Sequence, residues 1–326
     1  YQVTTIYIGG GTPSFINSKN ITKILNSLKN SANITNPEIT IEVNPGTLNK
    51  EKLLTYKKVG INRISIGLQS TNNDLLKQIG RIHTFDDVEK GYLMARDAGF
   101  NNISLDLMYA LPNQTKNSLG TSIEQMLKLY PKHISCYGLK IEDGTPFSLM
   151  EKEGKIKEKS DDEYADMYEI ICKNLKNAGY KQYELSNFSL PGFESKHNLN
   201  CWNQEEYLGF GVAAHSYFDN IRYSNISEIK KYIENFKNNQ SIYNVILNET
   251  QDKFAMMKEF MLLGLRKIEG VSIKDFKTKF IDNPIYVFRN ELNKLCVNEL
   301  IEIDENYIKL TAKGLDVANQ VWMEFC

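Results

Sequence analysis

Short apolar segments alternate with longer amphipathic segments along the first two thirds of the chain, and this alternation restricts the fold more than any other feature. The strand-like segments are Thr4–Ile8, Ile39–Val43, Arg63–Leu68, Asn102–Tyr109 and His133–Leu139, with weaker ones at Lys181–Leu185 and Tyr207–Val212. The helix-like segments are Ile21–Ser31, Lys50–Val59, Phe85–Ala98, Asn117–Leu129 and Ser160–Ala178. Such alternation is typical of parallel β/α units. It predicts an α/β fold, either a barrel or a doubly wound sheet, with ligands at the carboxyl ends of the strands.

The pattern changes after about Ile226, where helix-like segments predominate and short strands follow. These segments are Ser227–Asn238, Thr250–Arg266, Ser272–Phe280, Tyr286–Asn298, Leu300–Ile303, Tyr307–Leu310 and a last helix from Thr311. Two short strands around Asp304 predict a hairpin, so we expect a small, α-rich, winged-helix-like C-terminal domain. The domains are therefore predicted at residues 1–225 and 226–326.

Winged helices often bind DNA, so the charge of the predicted recognition helix matters. That segment, Tyr286–Asn298, mixes Arg289 and Lys294 with Glu291, and it is not a basic face. The whole chain has a net charge of −1 and a pI near 6.5. These observations favour an internal packing role for the helix and no nucleic-acid partner.

The composition is that of a soluble protein with one large and one smaller domain, since 41% of its 326 residues are hydrophobic and 24% are charged. No apolar run approaches the roughly 18 residues of a transmembrane segment. The odd number of cysteines argues against a disulfide framework, and their wide spacing argues against a metal site. They are Cys136, Cys172, Cys201, Cys296 and Cys326. We therefore expect a cytoplasmic protein with no metal site on this chain.

The segment Ile8–Ser14 contains three consecutive glycines directly after a strand-like segment. Glycines at this place leave the backbone bare, so that its amides and carbonyls can approach a small polar ligand closely. Pro13 then separates the strand from the next helix. Alone the motif is weak, because glycine-rich turns of this kind also bind phosphates or form plain tight turns.

Polar side chains recur at the ends of the strands that follow this turn. Glu42 lies in an apolar strand, where a carboxylate is costly to bury without a partner such as a ligand ammonium or hydroxyl group. Gln69 offers hydrogen-bond donors and an acceptor at the end of the next strand. Arg81 is placed to clamp a carboxylate, and Asp106 is suited to ribose hydroxyls. Each residue alone is explained by a surface charge or cap, but together they predict one ligand site.

Five motifs carry a family resemblance: Gly-Gly-Gly-Thr-Pro, Ile-Glu-Val-Asn-Pro-Gly, Ser-Ile-Gly-Leu-Gln-Ser, Gly-Arg-Ile-His and Ser-Leu-Asp-Leu-Met-Tyr-Ala-Leu-Pro-Asn-Gln. In this order they resemble the radical SAM family of oxygen-independent coproporphyrinogen III oxidases and the related HemW heme chaperones, over essentially the whole chain. The resemblance implies a partial (β/α)6 radical SAM barrel that holds S-adenosylmethionine and a 4Fe-4S cluster. By matching motif, the residues implied to contact S-adenosylmethionine are Gly10, Gly11, Thr12, Glu42, Gln69, Arg81 and Asp106.

One departure from the family concerns the cluster. The family holds it on three cysteines in a C-x3-C-x2-C pattern near the N-terminus, and this sequence has no such pattern. Either the chain is a fragment that lacks the first β/α unit, or it is a degenerate member without a cluster. The start at Tyr1 favours the fragment. We therefore expect the cluster only in a full-length protein, an open barrel, and no radical chemistry from the chain as given.

A second motif, Lys-His-Asn-Leu-Asn-Cys-Trp, and the Gly-Phe-Gly-Val-Ala-Ala-His segment after it resemble the H-N-x-x-Y-W signature and the G-x-G-x-x-A-H segment of HemW proteins. The resemblance implies His197 as a ligand of heme iron and Trp202 as an apolar face for a porphyrin. An alternative interpretation fits the sequence equally well: His197 and Asn198 hold a loop in place, and Trp202 belongs to the core. Cys201 replaces the usual Tyr, and His215 is expected to line the barrel mouth.

The leading prediction is a HemW-like heme chaperone that binds heme and S-adenosylmethionine and delivers heme to acceptor proteins. The alternative is an oxygen-independent coproporphyrinogen III oxidase, which would decarboxylate two propionates through a 5′-deoxyadenosyl radical. A winged helix that binds nucleic acid is a distant third. A homodimer is left open by the sequence.

Overall fold

Parallel strands and a terminal hairpin form the sheet of the N-terminal part of the chain. The structure, a computed structural model, describes residues 1–326 with the exception of the side chains of residues 247–249. The chain forms two compact units, Tyr1–His197 and Asn198–Cys326. The predicted domain boundary after residue 225 divides the chain at a different place, and it stays a prediction.

The sheet of the first unit is an open, curled partial barrel. Its strands are β1 (Gln2–Ile8), β2 (Asn33–Val43), β3 (Arg63–Gln69), β4 (Asn102–Tyr109), β5 (His133–Gly138), β6 (Lys181–Glu184) and β7 (Asn187–Ser189). Their order is β1-β2-β3-β4-β5-β7-β6. Strands β1 to β5 are parallel, whereas β7 is antiparallel to both β5 and β6. The prediction of a partial barrel is confirmed, with a β6–β7 hairpin at its last edge.

Helices cover the sheet between successive strands. They are α1 (Ser18–Ser31), α2 (Lys50–Val59), α3 (Asn73–Gln78), α4 (Phe85–Asp97), α5 (Lys116–Leu127), α6 (Pro146–Lys152) and α7 (Asp161–Asn177). Helix α8 (Lys196–Trp202) follows β7, and the boundary between the two units falls within it. Thr84, Thr115 and Ser160 begin α4, α5 and α7 with capping boxes. Gly60, at a φ of 100°, ends α2. Helix α2 has the predicted bounds, whereas the short helices α3 and α6 were not predicted.

The two faces of this sheet differ in polarity because alternate strand residues face opposite sides. The outer face packs on helices, and its central side chains are 0% exposed, among them Ile41, Ile64, Ile66, Ile103 and Leu105. The register of neighbouring strands brings polar residues side by side on the other face. We call this face the polar inner face, and it comprises Thr40, Glu42, Arg63, Ser65, Ser104, Asp106, His133 and Ser135.

The second unit begins with a small antiparallel sheet of order β10-β9-β8. Its strands are β8 (His215–Phe218), β9 (Ile221–Asn225) and β10 (Val245–Thr250), and helix α9 (Ile229–Lys237) lies between the last two. The predicted strand at Tyr207–Val212 is wrong, because Tyr207 forms only an isolated bridge with Tyr217. Gly211 has a φ of 111° there, and a Cβ on Gly209 would lie 2.1 Å from the carbonyl oxygen of His215. The segment is therefore a tight glycine-containing loop.

The C-terminal part of the second unit has the element order of a winged helix, as predicted. Its elements are α10 (Lys253–Gly264), β11 (Val271–Ser272), α11 (Ile273–Phe280), α12 (Pro284–Val287), α13 (Arg289–Val297), β12 (Ile301–Ile303), β13 (Tyr307–Leu310), α14 (Ala312–Asp316) and α15 (Ala318–Met323). The sheet order is β11-β13-β12. Phe276 contacts the rings of Phe260, Phe280 and Phe288 in the core. Within the described residues, no helix is long and apolar enough to cross a membrane.

Candidate functional site

The glycine turn after β1 needs its glycines for two different reasons. Gly10 and Gly11 have φ values of 83° and 66°, a region that side-chain-bearing residues rarely adopt. A Cβ on either would meet nothing within 4 Å, so their backbone borders open space. A Cβ on Gly9 would instead lie 2.6 Å from Cε1 of Tyr7 and 3.0 Å from the Glu42 carboxylate. The turn therefore combines close packing on one side with a bare, accessible backbone on the other.

Glu42 connects the glycine turn to β2. Its carboxylate accepts hydrogen bonds from the Tyr7 hydroxyl at 2.7 Å and from the Gly10 amide at 3.1 Å. Burial, and then the Glu42 carboxylate, raise the pKa of Tyr7 above its ordinary value, so this phenol stays protonated and donates. Glu42 thus holds the turn and keeps a carboxylate beside the open backbone of Gly10.

Asn44, which the sequence argument missed as a site residue, joins two of the predicted ones. Its Nδ2 donates to Thr12 Oγ1 at 3.0 Å, and its Oδ1 accepts from Arg81 Nη1 at 3.4 Å. Arg81 forms no ion pair with Glu42 or Asp106 in the described part of the chain. The signal for Asn44 was its position at the end of β2 before Pro45, a pattern that also occurs in ordinary turns.

Gln69 ends β3 in a strained and buried conformation. It is 3% exposed and has a φ of 66°, which is uncommon for a residue other than glycine. Tyr137 donates to its Oε1 at 2.7 Å. A Cβ on Gly67 would lie 2.9 Å from its Nε2 and 3.5 Å from Asn44 Oδ1. Since such strain persists only where its surroundings hold it, the amide is fixed between Gly67 and Tyr137.

Asp106 lies on the polar inner face at β4. It accepts hydrogen bonds from Ser65 at 3.0 and 3.2 Å and from Ser104 at 3.3 Å. Burial raises the pKa of Asp106 to about 6, against the opposing effects of the Ser65 hydrogen bond and the Arg63 charge. At neutral pH the Asp106 carboxyl is therefore ionised in most molecules, and below pH 6 it is protonated in most of them.

The predicted S-adenosylmethionine residues follow neighbouring strands of one sheet. Gly10, Gly11 and Thr12 follow β1, while Glu42, Gln69 and Asp106 belong to β2, β3 and β4. Hydrogen bonds join Glu42 to Gly10 and, through Asn44, Arg81 to Thr12. Because the carboxyl ends of parallel strands meet at one edge, these groups line the same edge of the sheet. Their role toward a ligand stays a prediction.

The heme candidates are placed in the two units separately. In the first unit, the His197 ring stacks on Tyr7 at 4.8 Å, and its Nδ1 lies 3.2 Å from Thr5 Oγ1. Burial and the Arg63 charge lower the pKa of His197, so its ring is neutral at pH 7.

In the second unit, Asn198 and Trp202 lie on α8, and the Arg266 guanidinium covers one face of the Trp202 indole at 4.5 Å. His215 is an exposed residue at the start of β8. The stacking of Trp202 agrees with a packing role, and it leaves a role toward heme as a prediction.

The family resemblance implies S-adenosylmethionine and a 4Fe-4S cluster, and the described residues fit only the first of these. The described residues contain no group of three or more His, Cys, Asp or Glu side chains that could hold a metal ion, and none of the five cysteines is in a disulfide. They do not fit a 4Fe-4S cluster. An amino acid joined to a nucleoside does fit the strand ends, since Gly10 and Gly11 border open space and Glu42, Arg81 and Asp106 offer charges for an ammonium, a carboxylate and hydroxyl groups.

Comparisons with known proteins found matches for both the N-terminal and the C-terminal part of the chain. Residues 1–126 match the Radical SAM superfamily, and residues 252–317 match the HemN C-terminal domain. Proteins named heme chaperone HemW from Lactococcus lactis subsp. lactis and Bacillus subtilis are each 38% identical over 99% of this chain, which covers 85% and 86% of their lengths. The structure of coproporphyrinogen III oxidase (HemN), a radical SAM enzyme from Escherichia coli, matches with a TM-score of 0.84 at 22% identity, over 99% of this chain and 78% of that one.

The open barrel and its strand-end residues, followed by a HemN C-terminal domain, define a protein of the radical SAM superfamily. The structural match to HemN supports the fold, and its low identity carries nothing about activity. The relatives named HemW decide the family at a finer level, because their similarity extends over nearly the whole chain. The chain belongs to the HemW family.

Proposed function

We propose that this protein is a heme chaperone that binds heme and S-adenosylmethionine and passes heme to acceptor proteins. The observation that carries the proposal is the similarity to relatives named heme chaperone HemW over 99% of the chain. An oxygen-independent coproporphyrinogen III oxidase is the alternative that the motifs imply, and the fold match to HemN is compatible with both functions. A cytoplasmic location belongs to the same proposal, and the free cysteines support it.

We assign the S-adenosylmethionine contacts from the chemistry of the strand ends. The bare backbone of Gly10 and Gly11 and the Glu42 carboxylate receive the methionine ammonium, beside Thr12. Arg81 binds the methionine carboxylate, because a guanidinium pairs with it bidentately. Gln69 and Asp106 take the ribose hydroxyls, for which an amide and a carboxylate are suitable acceptors. Asn44 keeps Arg81 and Thr12 in place through its two hydrogen bonds.

S-adenosylmethionine supplies radical chemistry only beside a reduced cluster, and the described residues contain no group of side chains that could hold one. The proposal therefore contains no radical step. What the residues do is bind and orient: Glu42 remains an acceptor because Tyr7 and Gly10 donate to it. Asp106 remains mainly ionised at neutral pH and accepts hydrogen bonds from hydroxyl groups.

For heme we propose His197 as the axial ligand through Nε2. In a metal-bound histidine, the ring nitrogen that does not bind the metal usually makes a hydrogen bond. The Nδ1 of His197 lies 3.2 Å from Thr5 Oγ1, which is a suitable partner. The lowered pKa of His197 supports this role, since iron binds the neutral ring. In the second unit, Trp202 is a separate candidate for porphyrin contact, through its edge or the face that Arg266 does not cover. Asn198 lies on the same helix, while His215 is a weaker candidate.

Isothermal titration with S-adenosylmethionine tests the cofactor site. Arg81→Ala should weaken binding by about 1.5–3 kcal/mol, the usual worth of a hydrogen bond to a charged group. The fold should survive, since Arg81 is not a core residue. Arg96, an exposed arginine near the end of α4, supplies the control Arg96→Ala, for which no change is expected. Equal affinities of wild type and Arg81→Ala would sink the assignment.

Titration with heme, followed by its Soret absorbance, separates the chaperone from the oxidase. The chaperone proposal expects stoichiometric heme binding that His197→Ala weakens by roughly tenfold or more, since loss of support around a metal ligand alone costs about 10–100-fold. His215→Ala should leave binding unchanged. Failure to bind heme, together with conversion of coproporphyrinogen by a cluster-containing form of the protein, would replace the chaperone by the oxidase.

A further inference from the structure

A chain of hydrogen bonds leads from the β6–β7 hairpin to Asp106, and the proposed function does not use it. The His133 side chain is 0% exposed at the start of β5. Its Nε2 lies 2.8 Å from the Tyr183 hydroxyl, and its Nδ1 lies 2.8 Å from Ser104 Oγ. Ser104 Oγ in turn lies 3.3 Å from Asp106 Oδ1. Four side chains from β4, β5 and β6 thus form one continuous path.

Only one set of proton positions satisfies every group along this path. The Asp106 carboxylate can only accept, so Ser104 donates its single proton to it. Ser104 then accepts from Nδ1–H of His133, which leaves Nε2 as an acceptor for the Tyr183 hydroxyl. The Tyr183 oxygen also accepts from the Ser195 amide at 3.3 Å. In the reverse direction the Tyr183 proton would lose its acceptor, and Asp106 would lose the Ser104 donor and keep only Ser65.

The charges around the path keep His133 in the neutral form that this arrangement needs. Burial and the Arg63 guanidinium hold the pKa of His133 well below its ordinary value. Arg63 is itself 2% exposed, and its Nε has no hydrogen-bond partner among the described residues. Other groups that act electrostatically on Asp106 or Tyr183, or that sense the Asp106 charge, come from several strands: Tyr7, Glu38, Glu42, Ser65, Ser135, Cys136, Tyr137 and Glu184.

We propose that His133 and Tyr183 are positioning residues for Asp106: the oriented path from Tyr183 through His133 holds the Ser104 hydroxyl as a hydrogen-bond donor to Oδ1 and directs the remaining lone pairs toward the ribose hydroxyls of S-adenosylmethionine. This inference rests on the proposed S-adenosylmethionine site. It adds to that site a hydrogen-bonded network that acts through Asp106 and does not contact the ligand. Loss of Tyr183 or His133 frees Ser104 to turn its proton away from Asp106, and a carboxylate with one donor fewer favours its protonated form.

The test is the pH dependence of binding, measured by calorimetry between about pH 5 and 8.5 with S-adenosylhomocysteine, the stable thioether analogue. Wild type should lose affinity as the pH falls through about 6, where Asp106 becomes protonated. Tyr183→Phe and His133→Leu should move this midpoint to higher pH and lower the affinity at pH 7 about threefold to tenfold, the worth of one hydrogen bond. His133→Asn keeps a donor toward Ser104 and should restore the wild-type profile.

The control is Tyr180→Phe, because the Tyr180 hydroxyl donates to the carbonyl oxygen of Pro131 and not to this path. It loses a comparable buried hydrogen bond, so it should leave the pH midpoint in place. If His133→Leu does not fold, Tyr183→Phe carries the test alone. A Tyr183→Phe profile that superimposes on wild type would overturn the inference while the proposed site stands. No binding by wild type at any pH would overturn both.

Discussion

The polar inner face of the N-terminal sheet buries polar side chains, whereas the core of residues 252–326 buries apolar ones. The polar inner face holds buried Thr40, Arg63, Ser65, Ser104 and His133, each at most 5% exposed. The segment 252–326, all of whose side chains are described, buries no polar or charged side chain. Burying polar groups opposes folding unless they gain partners, so a sheet face that keeps them does so for something other than stability.

The difference assigns separate duties to the two regions. The C-terminal core surrounds Phe276 with the aromatic rings of Phe260, Phe280 and Phe288. In the N-terminal unit, the outer face of the sheet supplies the apolar burial and leaves the inner face free for hydrogen-bonded networks. Substitutions in the C-terminal core should therefore act on stability alone, whereas substitutions on the inner face should also act on binding and on its pH dependence.

The largest effect is expected from Phe276→Ala in the C-terminal core. Phe276 is 0% exposed, and truncation of a buried phenylalanine lowers the free energy of unfolding by about 3–5 kcal/mol. Urea denaturation measures the loss, while affinity for S-adenosylmethionine at low temperature should stay unchanged. The control is Phe254→Ala, since Phe254 is 53% exposed. A loss of ligand affinity in folded Phe276→Ala would contradict the separation of duties.

The next effect concerns Asp106, whose folded pKa of about 6 exceeds its ordinary value of 3.8. A raised carboxyl pKa contributes stability that is complete below pH 3.8 and is lost as the pH rises through 6. The free energy of unfolding of wild type relative to Asp106→Asn should therefore fall by up to about 3 kcal/mol between pH 4 and 7.5.

Denaturation at several pH values measures this difference. Asp87 supplies a control of opposite character, because the hydrogen bonds of the Thr84 cap lower its pKa. Asp87 is ionised in both states above pH 5, so Asp87→Asn should show a constant offset there. A constant offset for Asp106→Asn as well would mean that its carboxyl is not desolvated.

A smaller effect is expected from the glycine turn. A Cβ at Gly9 would lie 2.6 Å from the Tyr7 ring and 3.0 Å from Glu42, so Gly9→Ala should displace the carboxylate from Gly10. Overpacking of this kind costs about 1–3 kcal/mol, and we expect the loss in affinity for S-adenosylmethionine. Gly46→Ala is the matched control, because a Cβ there meets nothing within 4 Å. Equal affinities of the two variants would remove Glu42 from the site.

The strands and helices that form the apolar cores could be predicted from the sequence, whereas the polar inner face could be predicted only in part. Runs such as Arg63–Leu68 and the cap residue Gly60 fixed β3 and α2, because period and capping are local signals. The path from Tyr183 to Asp106 joins residues far apart in sequence, and no local pattern reports such contacts. Strand β7 was missed because three residues, Asn187–Ser189, are too short to show a period. The strand at Tyr207–Val212 was wrong because Gly209 and Gly211 form a turn.

The smallest effect tests whether every polar group of the inner face serves a ligand. Thr40 is 0% exposed, and its Oγ1 has no hydrogen-bond partner among the described residues. An unsatisfied buried hydroxyl is costly, so the isosteric change Thr40→Val should raise the free energy of unfolding by about 1 kcal/mol and leave affinity for S-adenosylmethionine unchanged. Ser65→Ala is the contrast, because Ser65 donates to Asp106 and its loss should weaken binding. A destabilised Thr40→Val would mean that the hydroxyl has a bound partner, such as water, and that the inner face is satisfied throughout.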